Sequence, residues 1–174
     1  MGRTKIILVG NSGVGKTTLL ARYLDSCVVD YAHERRDGVV TVEYQLRGFK
    51  LQIRDQIVHS NPSSAHTLLR GTNAAAIVFD LTERPSFESV RDWRRRVQRP
   101  SLLCLMLVGN KSDRTKRRVV SFEEAKALAE ELGMFYIETS AKNLANLRCC
   151  FETLARVSFA ASFEKWKKRR EIPN

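Results

Sequence analysis

Four short apolar runs divide the chain: Ile6–Val9, Ala75–Leu81, Leu102–Val108 and Met134–Ile137. Each is continuous rather than alternating, the pattern of strands covered on both faces, and so predicts a parallel sheet between layers of helices. Apolar residues also return at helical spacing. Leu19, Leu20, Tyr23 and Leu24 make one stripe, and Ala125, Leu128, Ala129 and Leu132 a second. Leu147, Phe151, Leu154 and Ala155 make a third, in a helix directed towards Lys168. Ser121-Phe-Glu-Glu124 opens the second stripe with a capping-box spacing, in which a hydroxyl and a carboxylate satisfy first-turn amides. Strand–helix alternation of this kind predicts right-handed crossovers and a doubly wound α/β domain.

One segment follows a different rule. Val40, Val42, Tyr44 and Leu46 alternate with Thr41, Glu43 and Gln45, and after Arg47-Gly48 the alternation resumes at Phe49, Leu51 and Ile53. This predicts a β-hairpin, and with it one antiparallel strand in an otherwise parallel sheet. The turn-rich stretches 25–38 and 55–64 read as long loops, which in a compact domain often carry function. The length, 174 residues, suits one domain. Residues 1–174 are therefore read as a single unit, with a basic helix end or tail at about 162–174.

Composition narrows the class. Hydrophobic residues at 43% and charged residues at 28% exclude a wholly disordered chain. The apolar runs fall far short of the ~20 residues that span a bilayer, and no apolar leader opens the sequence, so a soluble cytoplasmic protein is expected. Cys27, Cys104, Cys149 and Cys150 form no metal-binding spacing and read as reduced, mostly structural thiols. Thirty Lys and Arg against 19 acids give a net charge of +11, concentrated in 91–99, 114–118 and 165–170. Such a field favours an anionic partner or is a solvated basic surface; charge alone does not choose.

The chemistry begins directly after the first run, at Gly10-Asn11-Ser12-Gly13-Val14-Gly15-Lys16-Thr17, followed by Thr18 and a helical pattern. This is G-x-x-x-x-G-K-[ST] between a strand and a helix. Glycines let the backbone wrap a phosphate, and successive N–H groups converge on the anion at a helix N-terminus. Lys16 is placed to reach the β- and γ-phosphates, and the Thr17 hydroxyl to ligate Mg²⁺. Asn110-Lys111-Ser112-Asp113 follows the third run. A carboxylate there accepts from the ring N–H and exocyclic amine of guanine, whereas adenine would leave it unpaired. Thr139-Ser140-Ala141-Lys142 follows the last run and approaches the base from the other side. All three motifs stand at carboxyl ends of strands, where an open α/β sheet binds its ligand.

On GNSGVGKT, KLQI at 50–53, LLRGTNAAAIVFDLT at 68–82, NKSD and ETSAK, the chain resembles the Ras superfamily of small GTPases, most closely its Rab branch. The resemblance covers nearly the whole chain. It implies a three-layer P-loop NTPase G domain, with a six-stranded mixed sheet, one antiparallel edge strand and about five helices. It also implies GTP and GDP as ligands with Mg²⁺, a conformational switch between them, and a role in vesicle traffic. Gly10, Asn11, Ser12, Gly13, Val14, Gly15, Lys16, Thr17 and Thr18 would hold the phosphates. Asn110, Lys111 and Asp113 would hold guanine, supported by Ser140, Ala141 and Lys142. Thr17, and Asp55 through water, would hold the metal.

The switch regions depart from that pattern. Where the family has Trp-Asp-Thr-Ala-Gly-Gln-Glu, this chain has Arg54-Asp55-Gln56-Ile57-Val58-His59-Ser60. His59 stands at the position of the water-orienting glutamine and lacks the paired donor and acceptor of a carboxamide. Val58 replaces a glycine, and β-branching restricts the backbone there. The metal-binding threonine falls on Arg35 counted from Lys16, or on Glu34 counted back from the hairpin. Val28 occupies the place of the aromatic near guanine, with Tyr31 the nearest substitute, and Arg54 replaces a tryptophan of the Rab effector surface. The C-terminus shows no prenylation cysteine, and Ile6 stands where myristoylation expects Ser or Thr. Either the chain is truncated or it carries no lipid anchor. Lys165–Arg170 with Trp166 then offers weak contact with an acidic membrane, or is a solvated helix end. Two functions remain open: a slowly hydrolysing GTPase switch with unnamed protein effectors, and a pseudo-GTPase that binds nucleotide for stability or partner docking. A nucleic-acid-binding role lacks both a stacking platform and a recognised motif.

Overall fold

The apolar runs form the centre of one sheet in the computed structural model, which describes residues 3–27, 31–36, 39–46, 49–56, 71–98 and 104–170. In chain order the elements are β1 (Arg3–Val9), α1 (Lys16–Cys27), β2 (Tyr31–Arg36), β3 (Val39–Leu46), β4 (Phe49–Gln56) and β5 (Ala74–Asp80). They continue as α2 (Arg84–Glu88), α3 (Val90–Val97), β6 (Cys104–Asn110), α4 (Phe122–Glu131), β7 (Phe135–Glu138) and α5 (Leu147–Arg170), with a 3₁₀ turn at Thr115–Arg117. The strand order is β2-β3-β4-β1-β5-β6-β7. β4, β1, β5, β6 and β7 run parallel, β3 runs against them beside β4, and β2, antiparallel to β3, lies at the edge in the direction of the others.

The continuous runs follow from two-sided burial. Along β1, Ile6 and Leu8 face one core with α1 and α5, while Ile7 and Val9 face the other with α2, α3 and α4. Tyr23 of α1 stacks on Phe151 of α5, ring centroids 4.3 Å apart. Ser121 caps α4 as its spacing predicts: its hydroxyl accepts from Glu124 N at 3.1 Å. Among the described residues there are five α-helical segments, α2 and α3 being separated only by Ser89. Cys104 and Cys150 are buried, and burial pushes their thiols up to about 11 and about 12.

The hairpin is β3 and β4, in register from Val39↔Gln56 to Leu46↔Phe49. The sheet nevertheless has seven strands among the described residues rather than six; β3 is the one strand that runs against the others, as the hairpin predicts, but β2 pairs outside it and takes the edge. The stretch 25–38 was expected to be one long loop; it holds the end of α1 and all of β2. Tyr-Ala-His-Glu-Arg-Arg has no apolar alternation to announce it. It is a strand because its backbone pairs with β3, from Tyr31↔Tyr44 to Arg36↔Val39, and an edge position tolerates charge. In 55–64, Asp55 and Gln56 complete β4, and 57–64 lies outside the described residues.

Candidate functional site

Val9, Asp80, Asn110 and Glu138 end their parallel strands at the same edge of the sheet, so the loops that follow converge. The first of these loops, 10–15, folds closely against its neighbours. Gly10 has φ +142°, and a Cβ there would lie 2.1 Å from the Val78 carbonyl oxygen. Gly15 has φ +99°, and its Cβ would lie 2.5 Å from Asn110 Nδ2. Only glycine fits both positions. Lys16 is buried, and its ammonium donates to Gly10 O at 2.9 Å and Asn11 O at 2.8 Å, which turns the cation back over its own loop. A cavity of about 290 Å³ opens here, lined by Gly10, Ser12, Gly13, Gly15, Lys16, Thr17, Thr18 and Trp93. The loop therefore combines a concave backbone, a folded-back cation and the start of α1, the arrangement that holds a phosphate.

The second motif is bonded to the first. Asn110 Nδ2 donates to Val14 O at 2.8 Å, and Lys111 Nζ donates to Gly13 O at 3.0 Å. Lys111 has φ +66°, an unfavourable conformation for a residue with a side chain. Its ammonium is paired with Asp80 at 2.6 Å. Burial alone would raise the Asp80 carboxyl, but hydrogen bonds from Lys111 and Thr82 outweigh it and hold it below the ordinary aspartate range.

The third motif fixes the second. Ser140 Oγ donates to Asp113 Oδ1 at 2.5 Å, and Ser140 Oγ in turn accepts from Lys142 N at 3.1 Å. Thr139 Oγ1 donates to Asn110 Oδ1 at 3.4 Å, while Ser112 N donates to Thr139 O at 3.1 Å. One oxygen of Asp113 is thus occupied by the fold. The carboxylate faces a cavity of about 670 Å³, whose lining includes Gly13, Gly15, Asn110, Lys111, Ala141 and Lys142. Gly13, Gly15 and Thr18 line both cavities, so the two are contiguous. Together they can take a phosphate group at one end and a planar ring with a donor edge at the other.

The sequence-derived residues of the three motifs are therefore brought together. Asp55 lies in β4 opposite Leu8 of β1, near the loop end of the sheet. Glu34 and Arg35 lie in β2, opposite Thr41 and Val40 of β3, and Tyr31 begins β2. Val28, Val58 and His59 lie outside the described residues.

Two contributors were not anticipated. Asp80 is the last residue of β5, the strand end at which α/β sheets place functional groups, and that position was the available signal. Trp93 Nε1 donates to Asn11 Oδ1 at 2.8 Å, and Asn11 Nδ2 donates to Ser89 Oγ at 3.1 Å, tying the first loop to α3. No local motif marks that pair.

Residues 5–159 match the model of the Ras family. The chain is 38% identical to the GTP-binding protein YPTM2 of Zea mays over 158 residues, covering 87% of this chain and 77% of that protein. It is 37% identical to the Ras-related protein RIC1 of Oryza sativa subsp. japonica over 158 residues, 87% of this chain and 78% of that one. Rab-1D of Dictyostelium discoideum, a Ras-related protein, is 36% identical over 159 residues, with shares of 87% and 78%.

Proposed function

The chain belongs to the Ras family, and from that premise we propose that it is a Rab-like, guanine-nucleotide-binding small GTPase acting in intracellular vesicle traffic. The observation that carries the reading is the single hydrogen-bonded unit linking Asp113 to Ser140, Asn110 to Val14 and Lys111 to Gly13. It presents a fixed carboxylate to the base edge and, through the same bonds, shapes the phosphate loop. Preorganised groups of this kind discriminate strongly, because the wrong base leaves a held carboxylate unpaired.

The residues fit the ligand that this reading requires. Gly10 and Gly15 let the loop lie against Val78 and Asn110, where a Cβ would clash, and Lys16 brings its charge back over the loop that lines the cavity. Gly10 to Thr18 would hold the phosphates of GDP or GTP; Asn110, Lys111, Asp113, Ser140, Ala141 and Lys142 would hold guanine. Thr17 and, through water, Asp55 would hold Mg²⁺, which supplies charge to neutralise phosphate oxygens. His59, at the glutamine position, orients an attacking water poorly, so hydrolysis is slow. The protein is read as one G domain in the cytoplasm, docking protein effectors.

Calorimetry with GDP, GTP and ADP tests the binding: tight GDP and GTP with no measurable ADP supports it, and equal affinity for ADP refutes it. Single-turnover hydrolysis by the His59→Gln and His59→Ala variants tests the chemistry. His59→Gln is expected to speed turnover, and rates unchanged in both variants remove His59 from the mechanism.

A second reading, a binding module that does not turn over, draws on one observation. The segment 31–36, which carries Arg35 and Glu34 in place of a hydroxyl, is paired into the sheet as β2. Hydrogen exchange of the β2 amides with GDP and with a GTP analogue separates the two readings. A difference favours the switch; identical protection favours the module.

A further inference from the structure

We propose that Arg114 is the planar group that lies against the purine in this site, supplying with its guanidinium the wall that an aromatic or branched aliphatic side chain would otherwise form. The inference rests on the guanine-nucleotide reading above and concerns the same cavity.

A purine has two π faces as well as an edge, and Asp113 and Asn110 address only the edge. Among the described residues that line the base cavity, none is aromatic and none is a branched aliphatic; Ala141 is the largest purely hydrocarbon side chain. What the lining offers instead is cationic side chains with long stems. Lys111 is stretched between Gly13 O and Asp80, so its methylenes are fixed in place. Two planar cations remain, Arg22 and Arg114. Arg22 Nε donates to Ala141 O at 3.1 Å, which ties its guanidinium to the 140–142 loop.

Arg114 is placed differently. It follows Asp113 directly, and its backbone is held on both sides: Arg114 N donates to Lys111 O at 3.0 Å, and Arg114 O accepts from Arg117 N at 2.9 Å. Its side chain is exposed and makes no ion pair with a described residue, whereas nearby Arg118 is paired with Glu138. A guanidinium is flat and weakly hydrated, so it leaves water for a π face more readily than an ammonium does. The contact therefore depends on planarity and not on charge alone.

The test uses the full chain and measures GDP affinity by calorimetry and GDP release by stopped-flow chase for Arg114→Ala, Arg114→Lys and Arg114→Phe. Loss of a stacking partner should weaken GDP about tenfold in Arg114→Ala and in Arg114→Lys, with faster release, while Arg114→Phe stays within about threefold of wild type. Any other pattern overturns the proposal: an unaffected alanine variant, a lysine variant as good as wild type, or a phenylalanine variant as weak as alanine. Ligand-free melting of each variant identifies one that fails to fold, and the remaining pair still decides between plane and charge. Asp113→Asn separates this proposal from the reading beneath it, since an amide donor should move preference from guanosine to xanthosine diphosphate. No such shift refutes the guanine reading itself; a shift with a flat Arg114 series refutes the Arg114 proposal alone.

Discussion

Asp80 shows how one side chain at a strand end organises a site two loops away. Its carboxylate pairs with Lys111, which also bonds to Gly13 O, so the base motif and the phosphate loop share one cation. Because the carboxyl is held below its ordinary value, it contributes stability that is fully present above the unfolded-state pKa of ~3.9 and is lost as pH falls through the folded-state value. Asp80→Asn should flatten the acid limb of the stability–pH profile below about pH 4 and, by releasing Lys111, speed GDP dissociation. Chemical denaturation from pH 3 to 7 together with a nucleotide chase checks both. An acid limb identical to wild type would mean that the pair does not govern it. Thiol chemistry divides in the same residue-by-residue way. Cys104 and Cys150 are buried with thiols pushed up to about 11 and about 12, while Cys149 is exposed. Iodoacetamide at pH 8 should therefore modify Cys149 in the native protein and the other two only on unfolding, as read by site-resolved mass spectrometry. The residues that sequence revealed are those with a local signature, such as Lys16 beside two glycines. Trp93 has none, because what defines it is a partner far away in the chain, and Asp80 is marked only by its place at a strand end.

Elements were legible wherever burial imposes a period. The runs at Ile6 and Ala75 are strands because both faces are covered, and the stripe through Leu147 and Phe151 is a helix because one face is. β2 escaped because its partner, not its composition, makes it a strand: six residues at an edge need only backbone pairing. The caps follow local chemistry and were readable. Ser121→Ala, which removes the acceptor for Glu124 N, should lower stability by about 1 kcal/mol in urea denaturation with an unchanged slope. Phe151→Ala opens a gap between α5 and α1 where Tyr23 stacks, and should cost about 3–5 kcal/mol. The contrast between the two is itself the check. A Phe151 variant no weaker than the cap variant would mean that α5 is not seated on α1 in solution.

At the scale of the whole molecule, the two cores lie on opposite faces of the sheet, and the site at its loop end draws on both. α1, which starts at Lys16, belongs to the core shared with α5, while Trp93, which grips Asn11, belongs to the opposite core with α2 and α4. A ligand seated on loop 10–15 therefore contacts both layers through one short segment, and its binding energy becomes folding energy. For a ligand at a thousand times its dissociation constant the gain is ~4 kcal/mol, and at this chain length that is roughly 8–16 °C in melting temperature. GDP should produce such a shift and ADP should not, because Asp113 is held by Ser140 for a donor edge. Lys16→Ala should act twice. It removes the bonds to Gly10 O and Asn11 O, so the ligand-free protein melts lower, and it removes the cation facing the phosphates, so added GDP recovers little. Differential scanning fluorimetry with and without GDP separates the two effects. If Lys16→Ala lowered the ligand-free melt but kept the full GDP shift, the ammonium would be a brace for the loop alone, and the phosphate grip would have to come from the backbone amides.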